Sequence, residues 1–112
     1  MERGGDFRRD YNYIEDTAEA CVLGCFAKNV KHRIFNVSSG ETHSLFEARD
    51  AILKLIPGAD IQIGSGPPDR PLPVPVTQDI TRAKKELGWS LRYGFEEGIR
   101  KYLAWLQEKD EV

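Results

Sequence analysis

Along the chain, apolar residues recur at helical spacing and are separated by residues that stop helices. Ala18, Cys21, Val22 and Cys25 mark a first helix whose stripe is expected to face the core. Asp16, with Glu19 three residues later, has the form of an N-cap with a capping box. Asn29 and the 28–31 region end this helix. Leu45, Ala48, Ile52, Leu55 and Ile56 mark a second helix, opened by Ser44-Leu45-Phe46-Glu47 in capping-box form and stopped at Pro57-Gly58. Asp79 caps a short helix through Leu87, which Gly88 closes. Phe95, Ile99, Tyr102, Leu103 and Leu106 line one face of the last helix. Glu96 and Glu97 suit the positive end of its dipole, and Lys109 the negative end.

Between the helices the period changes to two. Asp10 to Ile14 reads as a short strand with Tyr11 and Tyr13 on one face. Arg33 to Val37, apolar over Ile34, Phe35 and Val37, reads as a strand covered on both faces, and Asp60 to Ile63 as a third. Gly64 to Pro75 then holds five of the six prolines. Such a segment lacks the donors of a sheet interior and is expected as an extended surface loop. The pattern predicts a small mixed α/β domain of about three short strands and four helices. A polar, glycine-rich segment 1–8 is expected to be flexible, residues 9–107 to form one unit, and 108–112 to form a polar tail. Trp89 is expected to pack on the terminal helix and Trp105 to be partly buried at its far end.

Composition narrows the function. With 112 residues and 40% hydrophobic, the chain has room for one domain and can bury a core. Sixteen basic against eighteen acidic residues leave a net charge of -2 and no basic stripe, which argues against a nucleic-acid partner. No apolar run reaches a membrane span, so a cytoplasmic protein without a membrane partner is expected. Cys21 and Cys25 lack the closer spacing and further ligands of a zinc site and are expected to be small buried side chains. For the acidic Asp10, Glu15 and Asp16, helix capping and a solvated strand end account for what a metal site would otherwise explain.

Four segments, in order, resemble one family. Arg9-Asp10-Tyr11-Asn12-Tyr13-Ile14-Glu15-Asp16 is similar to the "RDYxYVxD" segment of extended short-chain dehydrogenases/reductases, the nucleotide-sugar epimerases and dehydratases. Phe35 to Glu41 is similar to "YNVGSGE", Ser44 to Glu47 to "SLxE", and Asp79 to Trp89 to "DISRAREELGW". A Phe-Glu-Glu-Gly-Ile helix ending in Tyr-x-x-Trp-Leu follows. The resemblance covers residues 6 to 107, and implies the substrate-binding part of such an enzyme without its Rossmann core. In the family the first of these segments comes about two-thirds along the polypeptide, and here almost nothing precedes it.

The resemblance also says what to look for and not find. The family binds NAD(P) through a glycine-rich turn that brings backbone donors to the pyrophosphate, and its chemistry uses a Tyr-x-x-x-Lys pair. Neither pattern occurs: four residues after Tyr11, Tyr13, Tyr93 and Tyr102 stand Glu15, Thr17, Glu97 and Leu106. No cofactor and no catalytic residue are therefore expected for this chain. The resemblance gives Arg9 a contact with the nucleotide phosphate, for which a planar guanidinium is suited. A structural ion pair with Asp10, Asp16 or a helix end is the alternative. The family's second arginine precedes a Pro-Gly-Asp turn; here Gly66 stands in its place and Arg70 falls just past Asp69, as a second phosphate contact or a solvated loop residue.

The leading expectation is a truncated or free-standing substrate-binding region, not catalytic alone and with weak or no UDP-sugar binding. Two others stand beside it: an oligomeric interaction module that has dropped the sugar nucleotide, and half of a split enzyme whose Rossmann portion is a separate chain. The family dimerises through Rossmann helices, so a homodimer of this chain needs another surface. Ile34, Phe35 and Val37, and the face of the Cys21/Cys25 helix if left uncovered, are the candidates.

Overall fold

The computed structural model describes residues 1–70, 73 and 76–109. Strand β1 (Arg8–Arg9) pairs antiparallel with β2 (His43–Ser44), Arg8 opposite Ser44 and Arg9 opposite His43. Helices α1 (Ile14–Phe26), α2 (Leu45–Leu55) and α3 (Phe95–Glu108) and a π-helix (Ala83–Leu87) complete a small α/β fold, with four helices and a two-stranded sheet among the described residues. Parts of the proline-rich segment (71, 72, 74 and 75) and of the tail (110–112) lie outside the described residues.

Local signals hold where their partners are local. Ser44 Oγ accepts from the Glu47 amide at 3.1 Å while the Glu47 carboxylate accepts from the Ser44 amide at 2.6 Å, a complete capping box. Asp79 accepts from the Thr81 amide, and Gly88, left-handed at φ 66°, closes the π-helix. α3 starts after its N-cap Gly94 and is closed by Lys109 as C-cap. Gly98 is buried where α3 crosses the chain: a Cβ there would come within 3.2 Å of the Tyr13 Cβ.

The expected strands turn out differently. Asp10–Ile14 is not a strand; β1 lies just before it, and α1 begins at Ile14. The 33–37 segment is no strand either. Its Ile34 carbonyl accepts from the Arg82 guanidinium and the Asn36 side chain donates to the Asp79 carbonyl, so side chains take the role of a neighbouring strand. Phe35 and Val37 pack inward while Ile34 is 76% exposed, so the segment is covered on one face and not on both. Residues 60–63 form no ladder, but the chain's first residues lie against them. The N-terminal amine donates to the Gln62 carbonyl at 3.0 Å, and the Gly5 amide donates to Gly64 at 2.9 Å. Residues 1–8 thus make more backbone hydrogen bonds than their composition suggests, and the contact is close enough that a Cβ at Gly64 would overlap the Glu2 carbonyl.

The core sits between α1 and the π-helix. Trp89, 1% exposed, fills the space left by Ala20 and Ala83, with Leu23, Phe35, Val37, Ile80, Leu87 and Leu91 around it. Its partners are α1 and the π-helix, and not the terminal helix that the sequence suggested. A fully buried indole needs small facing residues, and the alanines supply them.

α1 itself is rotated from the expected orientation. Asp16, Ala20 and Leu23 face inward, while Ala18, Cys21, Val22 and Cys25 face out. The reading of Cys21 and Cys25 as buried side chains is therefore corrected: both are exposed. The physical reason is Asp16. It is not an N-cap but an internal helix residue, 1% exposed, whose carboxylate accepts from the Arg92 amide at 2.9 Å and the Tyr93 amide at 3.2 Å. Its backbone carbonyl also accepts from Trp89 Nε1 at 2.9 Å. A buried carboxylate needs such donors, and holding them fixes which face of α1 points inward.

Candidate functional site

The sequence candidates lie around β1. The neighbouring arginines of this strand have separate roles. Arg8 is committed to its neighbours: Nε donates to Thr42 Oγ1 at 3.1 Å and Nη1 to Glu47 Oε2 at 2.8 Å, with a further bond to the Thr42 carbonyl. Glu47, held by the Ser44 amide first and then by the Ser44 hydroxyl and Arg8, has its pKa lowered from 4.5 to about 2. Arg9 is exposed, with its guanidinium 5.3 Å from the centre of the Phe7 ring. The alternative partners weighed for it are engaged elsewhere. Asp10 accepts from the Ser39 amide and hydroxyl and from the Gly40 amide, at 2.6–3.2 Å, and pins the turn before β2. Asp16 holds residues 92–93. Among the described residues Arg9 has no ion pair.

Arg70 is exposed, at the end of a loop that lies beside the N-terminal segment. The Gly4 amide donates to the Gly66 carbonyl, Asp6 accepts from the Gly66 amide, and Pro68 lies against Gly4. The segments that carry Arg9 and Arg70 are thus tied together at their bases. Ile34, Phe35 and Val37 lie elsewhere, across the Trp89 cluster, and only Ile34 faces outward.

Sequence reasoning missed an apolar cleft of about 530 Å³ between α2, α3 and residues 11–14, with Tyr11, Ile52, Phe95, Tyr102 and Leu106 among its walls. The signal was present in the shared face of Tyr11 and Tyr13 and in the α3 stripe, which meet here. The Tyr11 hydroxyl is enclosed without a hydrogen-bond partner. Burial pushes its pKa up, and the nearby Arg9 charge pulls the other way. The Tyr11 ring meets Phe95 at 5.6 Å and His43 stacks on Phe95 at 3.9 Å. At the other end of Tyr13, Lys101 lies 4.5 Å from the Tyr93 ring centre and 3.3 Å from Glu15. Trp105, 46% exposed, stacks on Tyr102 at the end of the cleft. Among the described residues no group of three or more His, Cys, Asp or Glu is placed to hold a metal ion, and no helix is long and apolar enough to cross a membrane.

No protein-family model matches the chain. Known proteins do. UDP-glucose 4-epimerase of Corynebacterium glutamicum is 34% identical over 83 residues, which are 73% of this chain and 25% of that protein. The trifunctional UDP-glucose 4,6-dehydratase/UDP-4-keto-6-deoxy-D-glucose 3,5-epimerase/UDP-4-keto-L-rhamnose-reductase of Arabidopsis thaliana is 30% identical over 106 residues, 92% of this chain and 15% of that one. Among solved structures, a Bordetella bronchiseptica enzyme in complex with NAD and UDP superposes with a TM-score of 0.76 at 27% identity, over 97% of this chain and 34% of its own. The chain thus spans only a quarter or less of its curated relatives, and full-length homologues bind NAD. Sequence order, fold and neighbours agree that the chain is homologous to a C-terminal portion of the NAD-dependent UDP-sugar epimerases and dehydratases, members of the extended short-chain dehydrogenases/reductases.

Proposed function

We propose that this chain is a sugar-nucleotide-binding region without catalytic power of its own, in which Arg9 meets the diphosphate. The observation that carries the reading is the division of labour on β1: Arg8 is bound into the fold, while Arg9 is exposed beside Phe7 and claimed by no acid among the described residues. A guanidinium so placed presents its planar fork to a phosphate. Arg70, on the adjoining loop, is the second cation. The residues present do not fit NAD(P). Among the described residues no helix rises from a glycine-rich turn after a strand, and the N-terminus of α2 is filled by its own Glu47. The sequence holds no Tyr-x-x-x-Lys.

Calorimetric titration with UDP and UDP-glucose tests this. Weak binding is expected. Arg9→Ala removes a charge-assisted contact of about 1.5–3 kcal/mol, roughly a tenfold to hundredfold loss. Arg9→Ala that binds as well as the parent chain rules out the phosphate assignment. NAD and NADP are expected to give flat titrations, and a micromolar Kd for either overturns that part of the reading. A second reading, an interaction module, is favoured by a separate observation: the outward apolar face of α1.

A further inference from the structure

We propose that Arg8 is a positioning residue for the Arg9 site: together with Asp10 it clasps the chain on both sides of Arg9 and fixes the face on which that guanidinium emerges. The inference rests on the Arg9 reading above and adds to it the groups that hold Arg9 in place.

β1 and β2 are two residues each. Two-stranded pairs are marginal in water even when longer, so this ladder does not hold its register by backbone bonds alone. Register matters here, because a slip of one residue turns every side chain to the other face of the sheet. For Arg9 a slip means loss of its place beside Phe7.

Side chains supply what the ladder lacks. Arg8 spans to the segment ahead of α2, where Nε donates to Thr42 Oγ1 at 3.1 Å and Nη1 to Glu47 Oε2 at 2.8 Å, with a further bond to the Thr42 carbonyl. Asp10 reaches the same segment from the other side of Arg9, accepting from the Ser39 amide at 2.9 Å and the Gly40 amide at 3.2 Å. Side chains alternate along an extended chain. With residues 8 and 10 both held toward residues 39–47, Arg9 is turned the opposite way, to the side of Phe7, where its guanidinium is found. The far ends of the clasp are fixed in turn. Glu47 belongs to the capping box of α2, and His43, the ladder partner of Arg9, stacks on Phe95 of α3. Arg9 is thereby tied to two helices.

The arrangement separates positioning from stability. The Arg8 and Glu47 side chains are 46% and 45% exposed, and an exposed ion pair adds little to folding. Arg8→Ala is therefore expected to leave the urea midpoint close to that of the parent chain. A released β1 must be ordered again when a phosphate binds. For one long side chain that ordering weakens binding about two- to tenfold.

Calorimetric titration with UDP tests the clasp, and charge supplies the control. Arg8→Ala removes a cation and weakens anion binding on charge alone. Glu47→Ala removes an anion, so charge alone tightens UDP binding, whereas loss of the clasp weakens it. Thr42→Val removes one acceptor of Arg8 with no change of charge, so only the clasp gives an effect; it also serves where Glu47→Ala fails to fold. Glu47→Ala is expected to weaken UDP binding about two- to tenfold, and Thr42→Val to weaken it less, both with the circular dichroism spectrum unchanged. If both variants bind UDP as well as the parent chain, or more tightly, the proposal is overturned while the Arg9 reading stands. A parent chain that binds no UDP, or whose binding survives Arg9→Ala, fails the Arg9 reading and takes this proposal with it.

Discussion

The two faces of α1 are opposites in chemistry and in fate. The inner face carries a carboxylate, an alanine and Leu23, and is buried. The outer face carries Ile14, Val22 and Phe26 and is exposed. Hydropathy alone assigns them the other way round. What reverses the assignment is the joint to residues 89–93: Trp89 needs a small residue opposite it, and the 92–93 amides need an acceptor. Ala20 and Asp16 supply both. Within the described residues, shape and hydrogen-bond demand at one joint decide which face of α1 turns inward.

Breaking the joint from the tryptophan side is expected to have the largest effect. Trp89→Ala removes the only large apolar side chain that is fully buried among the described residues. Such changes cost about 3–5 kcal/mol, much of the stability of a domain this size. Urea denaturation should show a collapsed midpoint or no folded baseline. A loss below 1 kcal/mol would mean that the cluster does not hold α1.

From the aspartate side the loss is smaller. Asp16→Ala leaves the Arg92 and Tyr93 amides without their acceptor; both bonds are only partly buried, so water can replace part of what is lost and the total cost is about 1–3 kcal/mol. Asp16→Asn keeps one acceptor oxygen and should fall between. Equal stability of all three chains would show that the 92–93 amides find other partners and that Asp16 does not orient α1.

These contacts explain what the sequence reveals and what it hides. The Ser44–Glu47 box, the Gly88 closure and the α3 boundaries were legible because each is settled within a few residues. Asp16 was not: its partners lie 73 to 77 positions away, and an acid near a helix start looks like a cap. The 33–37 segment kept its period-two alternation but not its ladder, since the pattern specifies an extended chain and not a neighbour. Arg9 was legible only through the motif that contains it. That Arg8 is the structural arginine depends on Glu47, 39 residues on.

A local contact gives a smaller, pH-dependent effect. Glu47 titrates at about 2 in the folded chain against 4.5 unperturbed. Its folded pKa is depressed, so its contribution to stability is complete above pH 4.5 and is lost as the pH falls toward 2. Asp79, Glu86 and Glu97 are lowered as well, so the measurement is a difference. Glu47→Gln should lose less stability than the parent chain between pH 4.5 and 2, and identical acid limbs would show that the Ser44 and Arg8 contacts do not persist in solution.

The smallest effect belongs to the outer face, and its smallness is the point. Substitutions at exposed positions that support no packing or hydrogen bond shift stability by about 0.5 kcal/mol or less. In dilute solution Cys21→Ser and Phe26→Ser should therefore match the parent chain, whereas any inner-face change does not. Urea denaturation of the dilute chains separates these cases. If Phe26→Ser destabilises the dilute chain as strongly as Asp16→Ala, the two faces are not distinct, and α1 is held by contacts on both sides.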